Sequence, residues 1–266
     1  MGELRAYAAL FSGQFRSVAS YRASFVADLV TNLFGTVLDV LAVLVLFRAT
    51  RSVAGFTLAQ GLLVVSLSSC GFALADLTVG NIDRLKTYVR TGTMDAVLVR
   101  PLAALPQLVL MDLPVRKALR AVVAVSVLVV ALRLNHVEWT PGRALLVVSA
   151  PLAGAVFFGA IFVISASLAF WWVESGEIGH AFTYGGRDFT AYPTPVYSGW
   201  FRGLFAYAMG FGFVAYQPAL ALLGRADPLG LPAWAGFLSP LVALVAAGIA
   251  AVVWRTGIRH YRSTGS

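Results

Sequence analysis

Long apolar runs separated by short polar segments organise this chain. Six of them, near 24–47, 56–79, 118–133, 144–172, 201–223 and 235–254, approach or exceed the roughly 20 residues a helix needs to cross a hydrocarbon core. The pattern predicts an all-α integral membrane protein with six transmembrane helices, built as one domain over 1–266, without internal repeats or low-complexity linkers. The third run is short unless part of 111–120 belongs to it, and the fourth is long enough to tilt. The stretch 1–23 is mixed, with Arg5, Arg16 and Arg22 spaced along an amphipathic pattern. It reads as a retained interfacial helix, since no compact apolar core with a small-residue cleavage site is present.

The interruption between the second and third runs, 81–101, has its own periodicity. Ile82, Leu85 and Val89 recur at i, i+3 and i+7, while Asp83, Arg84, Lys86 and Arg90 occupy the other faces, which predicts a short helix lying flat on a surface. Gly92 ends it, Thr93 is placed to cap a second turn with Asp95 near its start, and Pro101 stops the helical pattern after that turn.

Composition and charge turn this pattern into a topology. Hydrophobic residues are 59% of the chain and charged residues 12%, far from the balance of soluble domains. The net charge of +8 is spread between and beside the apolar runs, which argues against a nucleic-acid surface. With both termini in the cytoplasm, 15 of the 20 basic residues fall on the inner side and only Arg48, Arg51, Arg133, Arg143 and Arg225 outside. The positive-inside rule therefore places the segment after Asn81 in the cytoplasm. The outer connections, 48–55, 134–142 and 224–234, leave no room for an extracellular domain. The single cysteine, Cys70, lies in an apolar run and excludes an intramolecular disulfide.

Polar residues inside the runs are the next signal. Asp28, Asn32, Gly35 and Asp39 recur at i, i+4, i+7 and i+11 on one stripe of the first run, and a carboxylate facing lipid costs about 2.5–3.5 kcal/mol on insertion scales. The stripe should therefore face protein or water, either lining a route or packing against a neighbour. Ser66, Ser68, Ser69, Cys70 and Gly71 form a small-residue face suited to close helix packing. Asp76, near the inner end, is placed to meet Arg116 or Arg120. The fifth run mixes Tyr207, Gly210, Gly212, Tyr216, Gln217 and Pro218, residues that open a helix where neighbours satisfy the freed backbone groups.

Gly92-Thr-Met-Asp-Ala-Val-Leu-Val-Arg-Pro101 resembles the Gly-x-Leu-Asp-x-Leu-Leu-x-Arg-Pro element of bacterial ABC exporter permeases of type 2, in a six-span subfamily of roughly 260 residues. Phe170-Trp-Trp172, Tyr192-Pro-Thr-Pro-Val-Tyr197 and Tyr216-Gln-Pro-Ala219 resemble further elements of that family in the same order. Ala191, Ser198 and Met209-Gly210 depart from its usual pattern. The resemblance implies that 81–101 is a cytoplasmic coupling segment seated in a groove of an ABC ATPase, with Arg84, Lys86, Arg90, Asp95 and Arg100 as contact or orienting residues. It implies that the first and fifth spans border a lateral opening, which makes Asp28, Asn32, Asp39, Tyr207, Tyr216 and Gln217 the candidate substrate pathway. It further implies a dimer with a second permease, identical or homologous, two ATPase subunits, and a place in the bacterial cytoplasmic membrane among its lipids.

No nucleotide site is encoded: neither Lys86 nor Lys117 follows a Gly-rich phosphate loop, so ATP and Mg belong on a partner chain. No zinc or nucleophile motif occurs, and His136, His180 and His260 lie far apart in expected loops or tails, so no catalytic residue, metal or cofactor is assigned to this chain. Short outer loops and an apolar interior favour an amphipathic or hydrophobic cargo such as a drug, natural product or lipid. Two other classes predict different behaviour. An ATP-independent transporter or channel would depend on Asp28 or Asp39, and a non-transporting membrane scaffold would bind a partner through the cytoplasmic helix without ATP hydrolysis.

Overall fold

The computed structural model describes residues 52–111, 117–172 and 175–262, together with the helical positions Val30, Phe34, Leu41, Val45 and Phe47. Helix α1 (Leu58–Thr78) starts at a reciprocal cap, in which Gln60 N donates to Thr57 Oγ1 at 3.4 Å and Thr57 N donates to Gln60 Oε1 at 3.1 Å. The cap satisfies backbone donors that a helix start leaves unpaired. A 3-10 turn (Gly80–Arg84) leads into two short helices, α2 (Leu85–Arg90) and α3 (Thr93–Leu98), then α4 (Ala104–Leu110) and α5 (Ala118–Leu134). Helix α6 (Pro141–Ser167) is capped by Thr140, whose hydroxyl accepts from Arg143 N at 3.2 Å, with proline at the first turn where its missing N–H is no loss. There follow α7 (Gly176–Thr190), α8 (Gly199–Arg202), α9 (Tyr216–Leu223) and α10 (Ser239–His260). Among the described residues the protein is helical, with one isolated bridge between Val53 and Phe56 and no strand.

Helix α6 is the centre of the bundle, flanked by α1, α7 and α10. Its crossing with α1 is backbone on backbone: a Cβ on Gly71 would come within 3.0 Å of Gly154 Cα, and one on Gly154 within 3.2 Å of Gly71 Cα. This is how small residues let membrane helices approach when the hydrophobic effect offers no drive between them. One apolar cluster joins Phe72, Phe157, Phe158 and Phe162 to Ala246 and Trp254 of α10. A second joins Leu63 and Leu67 of α1 to Ala124 and Leu128 of α5 and Tyr216 of α9. The small-residue face expected on α1 is used in this way, and Ser68 adds a 2.6 Å hydroxyl contact to Thr190 of α7.

Among the described residues, three helical stretches are long and apolar enough to cross a membrane: Leu58–Thr78, Pro141–Phe170 and Ala233–His260. A fourth is reached if Gly199–Ala208 and Phe211–Leu223, bent by 62° at a break, count as one span. The run at 118–133 forms α5, whose 17 residues give about 25 Å of helix, short of the roughly 30 Å core. The first run and the interfacial stretch 1–23 lie outside the described residues, apart from the five helical positions.

The run 201–223 is not one continuous helix. After α8 the chain passes into a π-helix (Gly203–Ala208), breaks at Gly210 with φ of 88°, makes a 3-10 turn and resumes as α9. A Cβ at Gly210 would also meet Val242 Cγ1 at 2.6 Å, so glycine serves both the turn and the close approach of α10. A second departure is α7. It folds back along α6, where Gly179 packs on Ser165 and Thr183 Oγ1 donates to Ser165 Oγ at 3.1 Å, in a region where apolar run length predicts only a loop.

Gly71→Val should force the α1–α6 crossing apart and cost about 1–3 kcal/mol, as overpacking does in a close-packed core. Gly248→Ala, with nothing within 4 Å of the added Cβ, should leave stability unchanged or slightly raised. Thermal unfolding of both variants in the same detergent checks the pair, and equal midpoints would sink the crossing as a stability determinant.

Candidate functional site

The segment expected to lie flat on a membrane surface is instead set into the bundle. Ile82, Leu85 and Met94 are fully buried, Val89 and Val97 nearly so, and all five belong to the same core as Phe72 and Phe162. An apolar edge at helical spacing packs as well against protein as against lipid, and here the ends of α1 and α6 supply the surface. The opposite edge is polar: Arg84, Arg90 and Arg100 are exposed, while Lys86 and Asp95 are half-buried. Gly92 takes the left-handed conformation, φ 70°, at the turn between α2 and α3. Thr93 is therefore the first residue of α3 and not its cap, and its hydroxyl meets Thr91 Oγ1 at 2.8 Å. Gln107 of α4 braces the segment from behind, its Nε2 donating to Leu102 O at 2.9 Å and Val97 O at 3.3 Å.

Asp95 accepts a 3.0 Å hydrogen bond from the Tyr261 hydroxyl, just beyond the end of α10. Tyr261 in turn packs edge-on against Phe170 at 6.0 Å, and Phe170 against Trp254 at 5.3 Å. The segment 81–101 is thus tied to the far ends of both α6 and α10. Burial and the bond to Asp95 push the Tyr261 hydroxyl up to about 12, so it stays a donor throughout the physiological range.

Beside this segment lies a cluster of buried charge. Asp76, 2% exposed, pairs with Lys117 and lies 3.7 Å from Arg120. Of the two partners expected for Asp76, Arg120 is present here and Arg116 lies outside the described residues; Lys117 is an unexpected one. A Cβ on Gly80 would collide with the Asp76 carboxylate, so glycine keeps that approach open. The guanidinium groups of Arg120 and Arg187 sit 5.7 and 5.4 Å from the Phe72 ring centre, a geometry in which a cation is attracted by the aromatic face. Tyr184 meets the same ring edge-on at 5.5 Å, and His180 stacks on Tyr184 at 5.2 Å. Asp83 joins the group: burial, reinforced by Asp76, raises its carboxyl to about 6 against the lowering effects of His180, Lys117 and a hydrogen bond from Tyr184. His180, Tyr184 and Arg187 come from α7, the helix that no apolar run announces. Among the described residues no group of three His, Cys, Asp or Glu side chains is placed to hold a metal.

The expected pathway residues separate. Asp28, Asn32 and Asp39 lie outside the described residues. Tyr216 and Gln217 are both 2% exposed and converge on Asp227, the hydroxyl donating to Oδ1 at 2.9 Å and the amide to Oδ2 at 2.7 Å. Leu229 N adds a third bond to Asp227 at 3.0 Å, so the pair ties α9 to the loop after it. Sequence reasoning missed Asp227, although Asp227-Pro228 is a turn-forming pair. Tyr207 lies half-buried on the π-helix, and its hydroxyl has no hydrogen-bond partner among the described residues. None of these lines the apolar groove of about 610 Å³ between α4, α6 and α10, whose walls include Leu105, Gly159, Ala160 and Ala250.

Asp83→Asn tests the charge cluster through pH. The folded carboxyl titrates near 6 against 3.8 ordinarily, so the wild type binds this proton more tightly when folded. It therefore loses stability as pH rises from about 4 through about 6, with no further loss above. The asparagine variant lacks that loss. Its thermal midpoint should gain on the wild type between pH 4.5 and 7, and a constant difference over that range would remove Asp83 from the cluster's energetics.

A family model described as ABC-2 family transporter protein matches residues 33–265. No curated protein and no solved structure matches the chain. The matched region contains every helix from the capped start of α1, through the buried segment after Asn81, to α10. The chain belongs to the ABC-2 family of membrane transporter proteins.

Proposed function

We propose that this chain is the membrane-spanning permease subunit of an ATP-driven exporter, working with a separate ATPase on its cytoplasmic face. The observation that carries the reading is the segment Gly80–Leu98, which turns a basic edge outward while its apolar edge is rooted in the bundle core. An ATPase that grips Arg84, Lys86, Arg90 and Arg100 would move a rigid element and not a loop. That motion has two routes inward: through Ile82, Leu85 and Val89 to α1 and α6, and through Asp95 and Tyr261 to the end of α10. A segment that bears on two packed elements can switch them between discrete arrangements.

In this reading the first apolar run, α1, α5, α6, the bent pair and α10 are six spans, with the basic residues of 81–101 and both termini on the inner side of a bacterial cytoplasmic membrane. One chain is half a pore, completed by a second permease, identical or homologous, and by two ATPase copies that carry ATP and Mg. The cargo is amphipathic or hydrophobic, a drug, natural product or lipid, in keeping with the apolar groove and the short outer loops. Asp28, Asn32, Asp39 and Tyr207 remain the proposed pathway residues. Tyr216 and Gln217 would act by holding or releasing Asp227.

Two variants separate docking from transmission. Arg90→Glu, at an exposed position, should leave the permease inserted but lower recovery of the co-purified ATPase at least tenfold, equivalent to about 1.4 kcal/mol. Tyr261→Phe keeps the ring against Phe170 and removes only the bond to Asp95. It should retain the ATPase while cutting transport per ATP hydrolysed. Unchanged ATPase recovery and coupled transport in Arg90→Glu would count against this segment as the docking face.

A further inference from the structure

The end of α5 carries a second amphipathic feature, on the opposite side of the bundle from the coupling segment. Val122, Val125, Val129 and Arg133 fall at i, i+3, i+7 and i+11, so they form one stripe, and all four are exposed. The stripe runs into a cleft of about 600 Å³ lined by Val129, Leu132, Arg133, His136, Val137 and Trp139. Its walls are aliphatic, its rim bears a guanidinium and an imidazole, and an exposed tryptophan closes one side. Among the described residues no carboxylate pairs with Arg133. The nearest in sequence, Glu138, is drawn to Arg143 at 3.5 Å. The loop is held in place by Asn135, whose Nδ2 donates to Ala59 O at 2.7 Å and Ala131 O at 2.8 Å.

Level supports the chemistry. In the six-span reading α5 crosses the bilayer, and its last turn, with Arg133, then lies near the boundary between hydrocarbon and headgroups, the depth at which tryptophan concentrates. A cation above an exposed aliphatic stripe matches a molecule with an anionic head and an apolar tail. We infer that this cleft binds an anionic phospholipid, its phosphate on Arg133 and His136 and an acyl chain along Val129, Val125 and Val122. A free phosphate offers nothing to the aliphatic stripe, so the lipid is the occupant the site fits. The inference rests on the six-span reading and is independent of any ATPase partner.

Native mass spectrometry of the full chain in detergent, with added phosphatidylglycerol or phosphatidylcholine of identical acyl chains, tests it. Phosphatidylglycerol should be retained about fivefold more than phosphatidylcholine, the scale of one arginine acting on an anionic headgroup. Arg133→Gln should erase that preference, Arg133→Lys should keep most of it, and millimolar inorganic phosphate should not displace the lipid. Equal retention of the two lipids by the wild type, a preference that survives Arg133→Gln, or displacement by phosphate would each overturn the proposal. If Arg133→Gln does not insert, the wild-type comparison and His136→Gln, which should weaken the preference, still decide.

Discussion

Burial of one apolar edge, Ile82, Leu85, Val89, Met94 and Val97, against the ends of α1 and α6 is the contact on which the functional architecture rests. Without it the polar interruption between two apolar helices would be a tether, and force on its basic rim would dissipate in the loop. With it, the rim and the core are one body. The glycine crossing of α1 and α6 serves the same end, since it brings together the two helices that receive the edge. The hydroxyl of Tyr261 then extends the body to α10 through Asp95.

Much of this was legible in the sequence because bilayers impose a coarse rule. A helix must satisfy its own backbone in lipid, so run length alone located α1 closely and α6 and α10 more loosely, α10 ending at His260 and not near 254, and the spacing of Ile82, Leu85 and Val89 found the apolar edge. What spacing could not tell is which apolar surface that edge meets. Lipid and a protein core look alike to an i, i+3, i+7 pattern, and the structure chose the core. The bend at Gly210 was hidden for a similar reason, because a broken span and a straight one have the same composition. Gly210, Gly212 and Pro218 showed only where a break was permitted.

The polar cluster was the least legible part. Asp76 and Arg120 were recognisable as partners, but Lys117, His180, Tyr184 and Arg187 join the cluster with no such signal, three of them from an element far away in sequence. Helix α7 brings three of them, and its mixed composition resembles a loop until α6 provides a surface to fold against. A buried ion pair of this kind adds little net stability while intact, yet losing one partner strands the other in a low dielectric. The cluster therefore specifies how α1, α5 and α7 meet beside the buried segment after Asn81 more than it strengthens their meeting. Asp227 plays the comparable part at the end of α9, gathering Tyr216, Gln217 and the backbone of the loop beyond it.

In the proposed function, a rooted segment with a basic outer edge is the docking face for a separate ATPase. The most direct measurement is purification of the chain from its native cells in mild detergent, with the co-purifying polypeptides identified by mass spectrometry. The account predicts a soluble subunit bearing a Gly-rich phosphate loop, held through the segment around Arg90. Recovery of the permease without any such subunit, under conditions that keep the bundle folded, would contradict it.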